Sequence, residues 1–518
     1  MAGVGNLTLL SQTRLGGDLN YILGLSARNC FGGAEWRSQV ADVVTDTVYD
    51  VAIVGGGPGG YTAAFRGAEY GLKVALIEAS DKLGGTCLHV GCVPTKALLF
   101  NAEVWDHMLN AAEFGIGFGE GAAAPTLNWA AVQLRKNGII VKHTKGLDFL
   151  VRKHKVDRIQ GYARLTGPAV DGVHTLNVDK AGEQSQVKTK NVILATGSEA
   201  KLLPGLKADD RILTNIEILA LEQPPKSLIV IGAGAVGVEF ASIFRTFGAE
   251  VTILEFLPRM VPVEDEEISK ELTRLFKKRG IDVNTGAKVE KVEKTETGVK
   301  VTYTDANGKS QTKKAEKVLV GVGRSPNTAD IGLANTKIVL DRGFIKVDEA
   351  QETAEPGVFA IGDIVAGLPQ LAHVSGMSGN VAVAKIAGQK FRPVRKDRIP
   401  GCTYCEPQIG SAGLTEAQAR EKGHDVKVGK FPFAGNSKAT ILGNHDGFVK
   451  VVSDAKYGEI LGVHIIGPQA TELIAEAVAV LELEGTVEEM MFTIHAHPTV
   501  AEAMLDAYGA VEGMAINA

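Results

Sequence analysis

A pattern of apolar stretches alternating with turns begins at Val48. Tyr49 to Val54 is an apolar, β-branched run that ends in Gly55-Gly56-Gly57-Pro58-Gly59-Gly60. Helical spacing follows from Tyr61 to Tyr70, and a second strand pattern, Lys73 to Ile77, is closed by Glu78. The segment predicts strand, tight turn, helix, strand. The same order returns in the strand pattern Ser227 to Ile231, the loop Gly232-Ala233-Gly234-Ala235-Val236-Gly237, a helix through Phe247, and the strand Glu250 to Leu254 closed by Glu255. In both copies the acid stands 23 positions after the first glycine, 55 to 78 and 232 to 255. Such agreement marks an internal repeat.

Each copy is followed by another apolar strand that meets a small or glycine-rich corner, Val192 to Ser198 in the first and Val318 to Arg324 in the second. The first copy needs 137 positions from its leading glycine to that strand and the second 86, so the first carries an insertion of about 51 residues beginning at Cys87. Beyond Arg395, the alternating run Gly447 to Val452, the strand Ile460 to Ile466 and the helix Ala470 to Glu484 predict an α+β domain without nucleotide signals. The expected fold class is α/β, with two Rossmann-like dinucleotide-binding domains plus a C-terminal α+β domain. A chain of 518 residues has room for three or four such domains.

In a βαβ unit of this kind the first glycine allows the turn, the second lets the backbone approach a pyrophosphate, and the third permits close packing of helix on strand. The helix amino terminus then faces the phosphates. An acid ending the second strand accepts hydrogen bonds from ribose hydroxyls and repels a 2′-phosphate, so Glu78 and Glu255 favour unphosphorylated riboses and NAD over NADP. Composition is that of an ordinary globular protein: net charge −5, 45% hydrophobic, 22% charged, with 61 glycines. No basic field invites nucleic acid, and no apolar run reaches the roughly 18 residues that span a bilayer.

The five cysteines fall as Cys30 alone, Cys87 with Cys92, and Cys402 with Cys405, which is no disulfide framework. In a regular helix, residues five apart rise about 7.5 Å, beyond the roughly 7 Å that a disulfide bridges, so a Cys87–Cys92 bond requires distorted backbone. Gly84, Gly85, Gly91 and Pro94 supply residue types that allow it. A strained disulfide in a reducing compartment points to catalysis.

Gly84 to Lys96 resembles the redox-active segment of the flavoprotein disulfide reductases, the pyridine nucleotide-disulfide oxidoreductase family, in its dihydrolipoamide dehydrogenase branch. The resemblance runs from about Thr47 to the end of the chain. It includes Ala195 to Glu199, Gly232 to Glu239, Gly323 to Asn327, Phe359 to Asp363, and His495 to Thr499 with Glu502. It implies FAD held by Gly55, Gly57, Gly60, Glu78, Gly161, Thr196, Gly197, Ser198 and Asp363, and NAD held by Gly232, Gly234, Gly237, Glu239, Glu255 and Gly323. Without it, Asp363 and Gly161 read as turn residues. Lys96 matches the family lysine beside the flavin, partnered by Glu239, and His497 with Glu502 matches the general acid/base pair; His495 is assigned a structural role.

The implied reaction is oxidation of protein-bound dihydrolipoamide by NAD⁺, through FAD and a Cys87–Cys92 disulfide. Cys87 would exchange with substrate, Cys92 would lie against the flavin, and His497 would supply the base, because a thiol of pKa about 8.5 is mostly protonated at neutral pH. The implied domains are FAD-binding at 47–195, NAD-binding at 196–324, a central segment completing the FAD site at 325–394, and a dimer interface at 395–518. The implied partners are a second copy of the chain and the lipoyl domains and core of 2-oxoacid dehydrogenase complexes, with the glycine cleavage complex as a further setting. Two alternatives are a related FAD/NAD(P)H disulfide reductase and an FAD-binding scaffold subunit.

Residues 1–46 contain Arg14, Arg28 and Arg37, no lysine, and few acids, a pattern resembling a transit peptide and hence a mitochondrial matrix or plastid stroma address. Cys402-Thr403-Tyr404-Cys405 lacks a second ligand pair, so no metal is expected and the two thiols read as interior residues of a strand. Ser269 to Lys278 reads as the solvated face of a helix, and His89 stands where the family usually has asparagine.

Overall fold

The computed structural model describes residues 47–117, 119 and 125–517; the expected targeting segment lies outside them. The chain opens with β1 (Val48–Val54), α1 (Pro58–Glu69) and β2 (Val74–Glu78). The helix begins at Pro58, three residues before the expected Tyr61, because proline's fixed φ suits the first helical turn and its missing N–H costs nothing there. The insertion forms α2 (Gly85–Val90), α3 (Cys92–Leu109) and α4 (Trp129–Lys153). Then come β3 (Asp157–Gln160), β4 (Tyr162–Leu165), β5 (His174–Lys180) and β6 (Glu183–Leu194).

The strands assemble in the order β3-β2-β1-β6-β5-β4, with β3, β2, β1 and β6 parallel. Val51, Ala52 and Ile53 are wholly buried, as a parallel sheet covered on both faces requires. The second unit is a five-stranded parallel sheet centred on Ser227–Ile231, flanked by Glu250–Glu255 and Lys317–Val320, with the helix Ala235–Thr246 following its glycine loop.

The chain leaves and re-enters the first unit through a two-stranded antiparallel ribbon, Ser198–Ala200 against Arg324–Pro326. It then adds Val358–Ala360 to the first sheet, parallel to Val192–Leu194, and lays the helix Ala372–Ile386 on α1. The last unit is a five-stranded antiparallel sheet carrying the helices Ala470–Glu482 and Glu502–Val511. One core cluster joins Leu98 of α3, Trp129 of α4, Phe240 and Phe244 of the second unit, and Cys405 and Ile409 of the last. That shared core fixes the helix Ala235–Thr246 against α3.

The charged helix runs Glu266–Lys278 and turns Lys270, Arg274, Lys277 and Lys278 to solvent, the expected face. Beside its start Lys450, only 2% exposed, sits 3.1 Å from Asp265, 2.9 Å from Glu267 and 2.8 Å from Glu416. A buried lysine stays charged only when paired in this way. Cys402 lies in the strand Gly401–Thr403 and is half-buried, whereas Cys405 is buried beyond the strand's end. Among the described residues no helix is long and apolar enough to cross a membrane, and no cluster of His, Cys, Asp and Glu forms a metal site.

Candidate functional site

The two glycine loops have the same construction. A side chain on Gly60 would place its Cβ 1.8 Å from the Gly55 carbonyl oxygen, and one on Gly237 would place it 2.0 Å from that of Gly232, so the third glycine is required by close packing in both. The middle glycines differ in kind: nothing lies within 4 Å of a Cβ built on Gly234, and only the Gly85 Cα, at 3.9 Å, meets one on Gly57. The protein leaves that space open. Glu78 accepts Gly56 N–H at 2.7 Å and Ser80 N–H at 2.8 Å; Glu255 accepts Ala233 N–H at 2.5 Å and Leu257 N–H at 2.7 Å. Each carboxylate is thereby fixed at the lip of its loop. An open cradle beside a pinned acid fits a dinucleotide at both sites.

The first site is closed by segments distant in sequence. Gly161 donates its N–H to the Glu78 carbonyl at 2.9 Å, beside the end of β2. Thr196 Oγ1 donates to Asn327 O at 2.7 Å, and Asn327 N–H donates back to Gly197 O at 2.9 Å. Ser198 Oγ donates to Asp363 at 2.5 Å while accepting from Arg324 Nε at 2.7 Å. Asp363 is therefore more than a turn residue. Gly323, beside Arg324, lines the far corner of the second unit with nothing within 4 Å of its Cβ position.

The thiols lie at the first site, where Asp363 and Tyr61 are within reach of their charge. The redox segment breaks at Gly91, which ends α2 and precedes α3, so Cys87 and Cys92 belong to different helices and the spacing of one regular helix does not apply. Both are free thiols here. Their acidities diverge: interaction with Cys87 and the positive charge of Lys96 lower Cys92 to about 7, while the same interaction and burial push Cys87 well up. Lys96 Nζ is held 2.9 and 2.8 Å from the two oxygens of the buried Glu239 carboxylate. His89 Nε2 lies 2.9 Å from Leu83 O, tying the last turn of α2 to the loop before it.

The family's sequence profile, pyridine nucleotide-disulphide oxidoreductase, matches residues 49–379, and its dimerisation domain matches 399–508. The chain belongs to this family. It is 44% identical over 478 residues to a dihydrolipoyl dehydrogenase of Bacillus subtilis, covering 91% of this chain and 99% of that protein. It is also 44% identical over 480 residues to one of Rhizobium etli, covering 89% and 98%. Among solved structures it resembles LpdA from Mycobacterium tuberculosis, with a TM-score of 0.82 and 26% identity over 88% of this chain and 98% of that one. The HOCl-induced flavoprotein disulfide reductase RclA from Escherichia coli gives a TM-score of 0.78 at 27% identity, covering 89% and 99%.

Within the family's dimerisation domain, His497 Nδ1 lies 2.9 Å from Glu502 Oε1, and the other Glu502 oxygen accepts Thr499 N–H at 2.9 Å. That N–H holds the Glu502 carboxyl below its ordinary range. The histidine side chain is 70% exposed, with its second nitrogen free of contacts among the described residues. Its neighbour His495 is buried against Glu476 at 3.2 Å, which raises its pKa and suits a structural role. Among the described residues the side-chain partner of His497 is Glu502, and no hydrogen bond or ion pair joins it to Cys87 or Cys92. Sequence reasoning gave no role to Arg324, Asn327, Tyr404 or Glu476. The first two sit in a family motif quoted for its glycine, and the others meet the site only through tertiary contacts.

Proposed function

We propose that Cys87 is the exchange thiol, Cys92 the flavin-side thiol, and His497 with Glu502 the acid/base pair, lent by the second copy of the chain. The protein is an FAD- and NAD-dependent disulfide oxidoreductase acting on dihydrolipoamide, a homodimer that serves 2-oxoacid dehydrogenase complexes. The observation that carries the assignment of roles is geometric: the two thiols lie on consecutive helices broken at Gly91, and Lys96, held by the buried Glu239 carboxylate, stands one helical turn after Cys92 on the same helix, where its charge favours the Cys92 thiolate.

With the pair oxidised, one substrate thiol gives its proton to His497 and attacks Cys87 Sγ, the Cys87–Cys92 bond breaks, and Cys92 departs as the thiolate that Lys96 stabilises. The second substrate thiol attacks the substrate sulfur of the mixed disulfide, and its proton passes to the departing Cys87 as the cyclic disulfide leaves. The substrate has lost two electrons and the cysteine pair has gained them. FAD, when bound, supplies the two-electron relay from the reduced pair to NAD⁺. The carboxylate of Glu502 keeps the proton of His497 on Nδ1, so that Nε2 faces substrate as the base.

In domain terms, 47–195 and 325–394 hold FAD, 196–324 holds NAD and 395–518 forms the dimer contact. A mitochondrial or plastid address rests on residues 1–46 alone, and the relatives named above are bacterial; fusing that segment to a reporter in eukaryotic cells tests it. An assay with dihydrolipoamide and NAD⁺, run beside a visible spectrum before and after anaerobic NADH, tests the function. Turnover with a flavin spectrum that shifts on reduction is expected, and a bleached flavin without dihydrolipoamide turnover contradicts it.

A further inference from the structure

The Cys402 to Cys405 segment is unused by the chemistry above, and its thiols are poor candidates for exchange. Burial pushes Cys402 up to about 11 and Cys405 well above its ordinary value. The residue between them, however, reaches the redox site. Tyr404 donates its backbone N–H to Glu239 Oε1 at 3.0 Å, and its ring lies under Lys96, with Nζ 4.5 Å from the centroid. The ammonium is thus clamped between a buried carboxylate and an aromatic face, while the carboxylate is fixed from both sides.

We propose that Tyr404 is a positioning residue for the redox centre: it holds the Lys96–Glu239 pair so that the lysine charge stays on the thiols. Lysine has a long flexible stem and a strongly hydrated head, so the carboxylate alone does not fix its direction. A cavity of about 900 Å³ opens beside Lys96 and Tyr404 and offers the ammonium a route to water. The ring, on the same cavity wall, holds the ammonium at the carboxylate through a cation–π contact. The groups that face Cys92 are Cys87, Lys96, Glu239, Arg324 and Tyr61. Of these, Lys96 is the cation that draws Cys92 down, and a lysine released toward the cavity would let the thiol rise.

The inference rests on the reading of Cys92 as the flavin-side thiol, and its test separates the two. The reduced holoenzyme is titrated with pH, following the thiolate-to-flavin charge-transfer absorbance, for the wild type, Y404F, Y404L, K96M and Y404L/K96M. The wild-type band should titrate near 7, and Y404F, which keeps the ring, should follow it. Y404L should move the midpoint up by about half to one unit, the range a partly desolvated cation–π contact supports. Since the effect runs through Lys96, the double variant should titrate like K96M alone.

An unshifted Y404L overturns the proposal, as do fully additive shifts in the double variant. Y404F behaving like Y404L also overturns it, by transferring the effect to the hydroxyl. Should Y404L fail to fold, Y404M carries the same arms. A wild type without any charge-transfer band removes the Cys92 assignment underneath, an outcome distinct from a band that Tyr404 leaves unmoved.

Discussion

The two nucleotide units share a loop and differ in what the chain does after it. Both stack a third glycine on the carbonyl of the first and pin an acid with two backbone N–H groups, one from the loop and one two residues beyond the acid. After Glu78, though, the chain runs through a glycine pair into the thiol helices, and segments 161 to 363 return to close the site through Gly161, Ser198 and Asp363. After Glu255 it turns through Phe256, 67% exposed, and the sheet is completed from within the segment 212–320. The same local grammar thus builds one site whose walls come from segments distant in sequence and one completed within its own stretch of chain.

The thiols belong to the first unit alone, and that asymmetry is broken most severely at the cysteines. Cys87→Ser and Cys92→Ser should each lower turnover with dihydrolipoamide by orders of magnitude. They should part in the spectrum: under reducing conditions Cys87→Ser keeps the charge-transfer band and Cys92→Ser loses it. The reverse pattern would exchange their roles.

The glycines give the next largest contrast. A methyl on Gly60 or Gly237 meets a carbonyl oxygen at 2 Å or less, so something must move in either variant. Gly60→Ala should purify depleted of flavin. Gly237→Ala should keep its flavin and raise the NAD⁺ KM at least tenfold, a change of about 1.4 kcal/mol in binding. Flavin content and KM measured side by side check this, and equal flavin loss in both would erase the distinction between the units.

A smaller effect is expected from coenzyme choice. Glu255 has one lone-pair site on each oxygen occupied by backbone and meets a 2′-phosphate with like charge, so kcat/KM should favour NAD⁺ over NADP⁺ by at least tenfold. Equal values would remove the role of Glu255.

The smallest concerns pH. Cys92 is lowered from an ordinary 9.0 to about 7 in the reduced protein. A depressed thiol contributes stability that is full above the unfolded value and is lost as pH falls through the folded one. Melting of reduced against oxidised protein should therefore show a relative loss for the reduced form between pH 9 and 7, with the charge-transfer band fading in step. A difference that does not change with pH contradicts the lowered thiol.

What was legible in the sequence was local. The repeat, its acids and the cysteine pair are encoded within stretches of about 25 residues, where glycine sterics and strand periodicity leave few alternatives. Even the distortion at Cys87–Cys92 was foreseeable from Gly91, although not that it takes the form of a break between two helices. Tyr404 was not legible, because its contact with Glu239 joins positions 165 apart and the residue lies in a segment that reads as plain strand. Lys450 was missed for the same reason: an alternating strand assigns it to solvent, and its carboxylates come from distant segments, Asp265 and Glu267 at another unit's helix start and Glu416 within its own unit. Periodicity reports which face is polar, and tertiary packing decides whether that face meets water.

The central claim is that each active site joins Cys87 and Cys92 of one chain to His497 and Glu502 of the other. A heterodimer with Cys87→Ser in one chain and His497→Gln in the other measures this directly, because a shared site puts both lesions into one centre and leaves the second intact. Each mutant homodimer should be nearly inactive, and the purified heterodimer should recover about half of wild-type turnover, since loss of a nucleophile or its base removes a centre outright. A verified heterodimer as inactive as its parents would contradict the account, because it would mean that each chain builds its site alone.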